Sequence, residues 1–136
     1  MTDLVVTSAS VVPASNAVKQ TSVAGETLTA GMSVYYDSSV GQWLKTDSNH
    51  ATAAKHKATG VALNGASVGQ PVSVQTGGDV TIGATLTAGS RYYASATGGG
   101  IAPEADLTAT WEVSLIGIAK SASLLQLIFA NPGVTL

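Results

Sequence analysis

The chain has no cysteine, so a disulfide scaffold is excluded and the redox compartment is left open. It also has little charge. Only 10% of its 136 residues are charged, and the six basic side chains are spread along a chain of net charge −2. Nothing resembles the basic stripe that phosphate neutralisation needs, which sets nucleic acid aside as a partner. No apolar run approaches the roughly 20 residues of a membrane-crossing helix. Asp3 stands where a signal peptide carries positive charge. A soluble protein made in a cytoplasm, with no membrane partner, is the expectation. What fills the chain instead is Ala, Ser, Thr and Gly, a composition suited to surfaces that pack on other protein. The length is that of one domain able to bury a core without metal or disulfide.

A phrase that occurs twice organises the rest. Thr27-Leu28-Thr29-Ala30-Gly31 is followed by Tyr35-Tyr36, and Thr85-Leu86-Thr87-Ala88-Gly89 by Tyr92-Tyr93. The pentapeptides lie 58 positions apart and the tyrosines 57, which places the loss of one residue between them. Val23-Ala24-Gly25 stands against Thr81-Ile82-Gly83, and Gly60-Val61-Ala62 against Gly117-Ile118-Ala119. A register kept over so many positions predicts one β-unit used twice, over about 23–78 and 81–130.

Period-two alternation predicts strands at Met32–Tyr36, with one tyrosine of each pair inward and one outward. Gln42–Lys45 is the returning arm of a hairpin, with Trp43 as aromatic anchor. Thr76-Gly77-Gly78-Asp79 reads as a turn closing the first unit, and Trp111–Ala119 as a long strand. Leu125, Leu127 and Phe129 are expected inside, alternating with Gln126, Ile128 and Ala130. Residues 47–59 have room for one short helix or an irregular loop, with capping oxygens at Thr46-Asp47-Ser48. Ten to twelve short strands and at most one short helix predict an all-β fold, a small barrel or sandwich built from two related units. Residues 1–20 lie outside the duplication. They read as an extended arm before a single β-domain over 21–136, either a first strand of that domain or a segment that pairs with a partner.

Enzyme chemistry finds little footing. His50 and His56 are six apart, not the three or four of a helical metal pair, and read as two solvated histidines on a polar connector. No nucleophile elbow is present, and Gly77-Gly78 and Gly98-Gly99-Gly100 lack the Lys-Ser or Lys-Thr of a phosphate loop. Asp37, Asp47 and Asp79 do not fall into a calcium-loop pattern, and Glu104 and Asp106 read as a solvated connector. No catalytic residue, cofactor or metal ligand is assigned. Tyr35, Trp43, Tyr92 and Trp111 form the basis of an alternative, a head-fibre or tail-associated module stacking host surface glycans.

Ala24-Gly25-Glu26 through Ala30-Gly31 to Val34-Tyr35 and Asp37, then Trp43, Gly60-Val61-Ala62-Leu63, Gly69–Gly78 and Gly117-Ile118-Ala119 resemble the capsid cement or head decoration proteins of tailed bacteriophages. The resemblance runs from about Ala24 to about Phe129. It implies a non-enzymatic virion protein on the outer surface of the capsid. It also implies a homotrimer whose partner is the major capsid protein and which reinforces contacts between capsid subunits. Leu4, Val5, Val6, Val11, Val12 and Pro13, the β-branched and apolar part of the arm, are the candidate capsid-binding residues. On that reading residues 1–12 are dispensable for the fold itself.

Overall fold

The structure, a computed structural model, describes residues 3–136. The fold is all-β. Its strands are Val12–Pro13 (β1), Val18–Ala24 (β2), Ser33–Asp37 (β3), Gln42–Lys45 (β4), Gly60–Ala62 (β5), Pro71–Thr81 (β6), Arg91–Ala94 (β7), Ile101–Pro103 (β8), Leu115–Ala119 (β9) and Leu124–Ala130 (β10). Helical structure among the described residues is limited to single 3-10 turns at Ser8–Ser10, Ala53–His56 and Glu104–Asp106. The N-cap of the second of these is Thr52, not the expected 46–48 segment, and it makes no side-chain cap. Asp47 instead accepts from the Asn49 N–H, an Asx turn.

The first unit is a closed ring. β2 pairs in parallel with β4, and β4 with β3, β3 with β5, β5 with β6 and β6 with β2 in antiparallel, so each of these strands has two neighbours. Closure removes the exposed edges that small sheets otherwise carry. Trp43 fills this ring at 2% exposure, as its anchor, with Leu28, Val34, Val72 and Val74 around it. Tyr36, half-exposed, meets its ring edge-on at 5.1 Å between centroids.

The second unit repeats the first at the level of individual bonds. Gly31 N–H donates to Ala62 O and Gly89 N–H to Ala119 O, both at 2.8 Å. Leu28 donates to Ala66 O and Leu86 to Ala122 O, again at 2.8 Å. Pairing also corrects the alignment of the tyrosines. Val34↔Lys45 and Tyr36↔Trp43 in the first unit correspond to Tyr92↔Pro103 and Ala94↔Ile101 in the second, a constant offset of 58. Tyr35 is therefore matched by Tyr93, Val34 by Tyr92 and Tyr36 by Ala94. The missing residue lies further on, between the β4/β8 hairpin arm and the β5/β9 glycine. This explains why Tyr92 and Tyr93 are both buried, at 3% and 7%, where one inward and one outward ring was expected. Tyr92 occupies a core position that a valine holds in the first unit.

Three further expectations are revised. Residues 76–79 do not turn: β6 runs on through Gly77 and Gly78 from one ring into the other. Gly78 has φ +80°, and a Cβ there would run into the backbone of Asn16. The Gln75 side chain donates to Gly77 O at 3.0 Å and Asp79 O at 2.7 Å, fixing the bulge. The strand expected over 111–119 begins only at Leu115, because Thr110 takes a left-handed φ of 79° and Glu112 bridges to Thr135.

The third concerns the arm. A boundary between residues 20 and 21 falls inside β2, and β1 pairs with β6 at Val12↔Thr81 and Pro13↔Val80. Val11 is a core residue, and Leu4 and Val6 pack against the same core. Residues 3–20 are thus part of the domain's sheet and core. The first of the two readings of this segment describes its place, and removing residues 1–12 strips side chains from the core. The inward set on β10 is as expected, with Leu125 and Leu127 buried and Phe129 packed against the core.

Gly60 and Gly117 are equivalent, but what a Cβ would meet differs. At Gly60 it meets the buried Val74 side chain, which must shift; at Gly117 it meets the Gln126 backbone, which is fixed in the ladder. Gly117→Ala is expected to lower stability by about 3 kcal/mol and Gly60→Ala by about half that, as read by denaturant unfolding. Equal losses would show that the two units do not sit on their final strands in these different ways.

Candidate functional site

The sequence candidates divide by burial. Val5 is 86% exposed and Val12 54% exposed, whereas Val11 is 9% exposed and Leu4 and Val6 are partly buried. Pro13 is half-buried in β1. Val5 and Val12 are accordingly the two of the six whose side chains face outward. Of the four rings named for glycan stacking, Tyr35, Trp43 and Tyr92 are buried and only Trp111 is partly open. A shared platform of these rings does not exist in the fold.

A polar cluster lies where the two units meet. The 46–59 connection of the first unit and the 104–114 connection of the second occupy equivalent places and face one another. Ser48 N–H donates to Ser95 O and Glu112 N–H to Ser48 O, at 2.9 and 2.8 Å. Glu112, 7% exposed, is held by Lys57 Nζ at 2.6 Å and lies 3.3 Å from His56 Nδ1. The other nitrogen of His56 meets the His50 carbonyl oxygen. His56 is therefore not the solvated side chain that spacing suggested, although His50 is exposed. The partner that sequence reading missed, Glu112, is 56 positions away and inside an expected strand. Its only signal was a lone carboxylate within an otherwise apolar stretch.

Burial opposes the Glu112 charge, and the bonds from Lys57 and His56 outweigh it, holding the carboxyl below the usual glutamate range. Nearby, Ser114 Oγ accepts from Ala58 N–H at 2.9 Å and donates to Asn131 Oδ1 at 2.6 Å. The Ser114 proton points at Asn131, not at an imidazole, so the arrangement is a clasp between connections and not a relay.

Several other ionisable groups are paired too. Asp79 meets Lys120 at 2.8 Å, and Glu26 accepts from Lys45 N–H at 2.9 Å with Lys55 nearby. Glu104 accepts from Tyr93 Oη at 2.9 Å and meets Arg91 Nε at 3.1 Å. It is thus tied to neighbouring side chains while staying solvent-exposed, as expected of the connector. Burial first, and then the Glu104 bond, raise the Tyr93 phenol above its ordinary value. The chain matches no protein-family model and no curated protein.

The sign of the Glu112 effect is set by its lowered folded value. Its contribution is whole above the unfolded glutamate pKa of about 4.3 and is lost as pH falls through the lower folded value. Glu112→Gln should cost about 1–2 kcal/mol at neutral pH and flatten the acid limb of the stability profile below pH ~4, measured by urea midpoints across pH. An unchanged acid limb in the variant would show that the clasp is not what acid breaks.

Proposed function

We propose that this is a structural, non-catalytic capsid decoration protein, bound to the outer surface of a tailed-phage head as a trimer and bridging major capsid subunits. The observation that carries the reading is the build of the molecule. One β-unit is used twice around a shared strand, and the ionisable groups of the junction are committed to clasping the units together. The surface is left poor in charge and carries separate apolar side chains, among them Val5, Val12, Val18, Val40, Val68 and Ile128. The resemblance from Ala24 to Phe129 supports the same reading.

Such a surface suits adhesion to protein. Small uncharged side chains lose little hydration when covered, and a few exposed valines supply apolar area without a patch large enough to aggregate. On an icosahedral shell the same site recurs under symmetry. A trimer then engages several subunits at once, and individually weak contacts add by effective concentration. Within this reading the outward-facing members of the candidate set, Val5 and Val12, make the shell contact, while Leu4, Val6, Val11 and Pro13 hold them in place.

The test uses expanded shells assembled from a tailed-phage major capsid protein, the proposed partner. Cryo-electron microscopy should show threefold density on the outside of expanded shells, and light scattering should count three chains in the free oligomer. Val5→Asp together with Val12→Asp should weaken shell binding at least ~10-fold, about 1.4 kcal/mol, with the melting temperature changed by no more than about 2 °C. Density confined to the tail, or full binding by the doubly substituted chain, would overturn the reading.

A further inference from the structure

The two rings differ at one seam. In the first, Gly25 N–H donates directly to Trp43 O at 2.9 Å, beside the parallel pairing of β2 with β4. The equivalent residues of the second unit are Gly83 and Ile101, and each bonds instead to a strap formed by residues 3–7. Thr7 N–H donates to Gly83 O and Leu4 N–H to Ile101 O, both at 2.8 Å. The strap occupies the place where the second ring would otherwise close on itself. Its fit is close. A Cβ at Gly31 would meet the Val6 side chain, and one at Gly83 the Thr7 carbonyl oxygen. Asp3 accepts from Ser95 Oγ at 2.6 Å, and an open cleft of about 250 Å³ runs along the strap between Ala30 and Ile101.

We propose that this seam is an exchangeable strand-acceptor site, and that its occupant in trans is the strap, residues 3–7, of a second copy of this chain. Three observations carry the proposal. First, the acceptor recognises an extended backbone through one donor from each end of the strap, with side-chain recognition limited to Leu4, Val6 and Asp3; a second copy presents the same groups in the same order. Second, the strap is held far more lightly than β2. That strand runs along β6 over six register pairs, so the strap can leave while β2 stays. The 3-10 turn Ser8–Ser10 between them is exposed, with bonds only from Ser10 N–H to Thr7 O and Val11 N–H to Ser8 O, and so offers a hinge. Third, a vacated seam exposes Ile101, now 1% accessible, and leaves two carbonyl oxygens without donors. Refilling by an identical segment restores every contact, which is what makes strand swapping between copies a low-cost route to oligomers. The inference stands apart from the capsid reading, since it concerns copies of this chain alone.

The experiment uses the full chain with a diazirine amino acid encoded at Leu4 alone. Isotopically heavy and light preparations are mixed in equal amounts, incubated across a range of concentrations and irradiated, and cross-links from residue 4 into 97–101 are read by mass spectrometry. Heavy-to-light cross-links should rise with concentration toward about half of the total, the value for random pairing of swapped straps. They should fall several-fold when Val6→Asp is added, and hydrogen exchange at Leu4 and Thr7 should be faster than along β6. Val6→Asp serves only as a comparison, and its failure to fold leaves the isotope readout intact. Isotopically pure cross-links at every concentration would overturn the proposal, whatever the capsid experiment shows.

Discussion

Strand β6 belongs to both rings, and most of the architecture is set by the work it must do along its length. Its first part, around Val72 and Val74, pairs with β2 and β5 and lines the first core. Its last part, around Val80, pairs with β1 and β10 and lines the second. Between them the strand must change sheets without leaving buried backbone groups unbonded, because each orphan would cost about 1–3 kcal/mol. Gly78 supplies the left-handed backbone, and the Gln75 amide takes up the carbonyls of Gly77 and Asp79 on either side. The Asn16 side chain accepts from the Asp79 N–H at 3.0 Å. A polar side chain buried at 0% exposure, Gln75, is thus the condition for joining two barrels by one strand instead of by a linker.

The same requirement shows why some features were legible in the sequence and others not. Duplication was visible because it is written in turn residues: Gly31 and Gly89, Gly60 and Gly117 hold equivalent places and bonds. The all-β class was readable from the short alternating runs, and Leu125 and Leu127 from their period of two. The Gly77-Gly78 pair was misread because a bulge and a turn draw on the same permissive residue, and only pairing on both flanks distinguishes them. The tyrosine alignment slipped by one because identical letters outweighed register: Tyr-Tyr matches Tyr-Tyr by eye, whereas the ladder matches Val34 to Tyr92. For the first twenty residues, β-branched clusters predicted extended backbone correctly. No local pattern says whether an extended segment pairs with its own domain, since that depends on partners some 60 to 100 positions away. The Glu112 clasp was hidden for the same reason.

Differences between the units carry physical information of their own. Position by position, Ala24 is replaced by Ile82, Val34 by Tyr92 and, by ladder register, Val74 by Leu125, while Trp43 gives way to the smaller Ile101 at the seam itself. The second interior thus draws its bulk from several side chains where the first relies on one indole, and Leu4 and Val6 of the strap pack against the same core as Ile101. The first ring closes by β2 against β4; the second has one further extended segment set into the same seam. The smaller residue at the seam and the strap set against it are two sides of one packing solution.

That solution also separates two tasks that a duplicated fold would otherwise perform identically. The first ring is closed by seven-residue β2, locked along β6. The second ring is closed by a few residues on a short hinge, with Val5 turned fully outward from the middle of the strap. An outward side chain on a lightly held segment is where a contact with another protein alters the fold least, because covering Val5 leaves Leu4 and Val6 seated. Adhesion and internal closure are thus assigned to alternate residues of one strand, which the period of two makes possible without a dedicated binding loop.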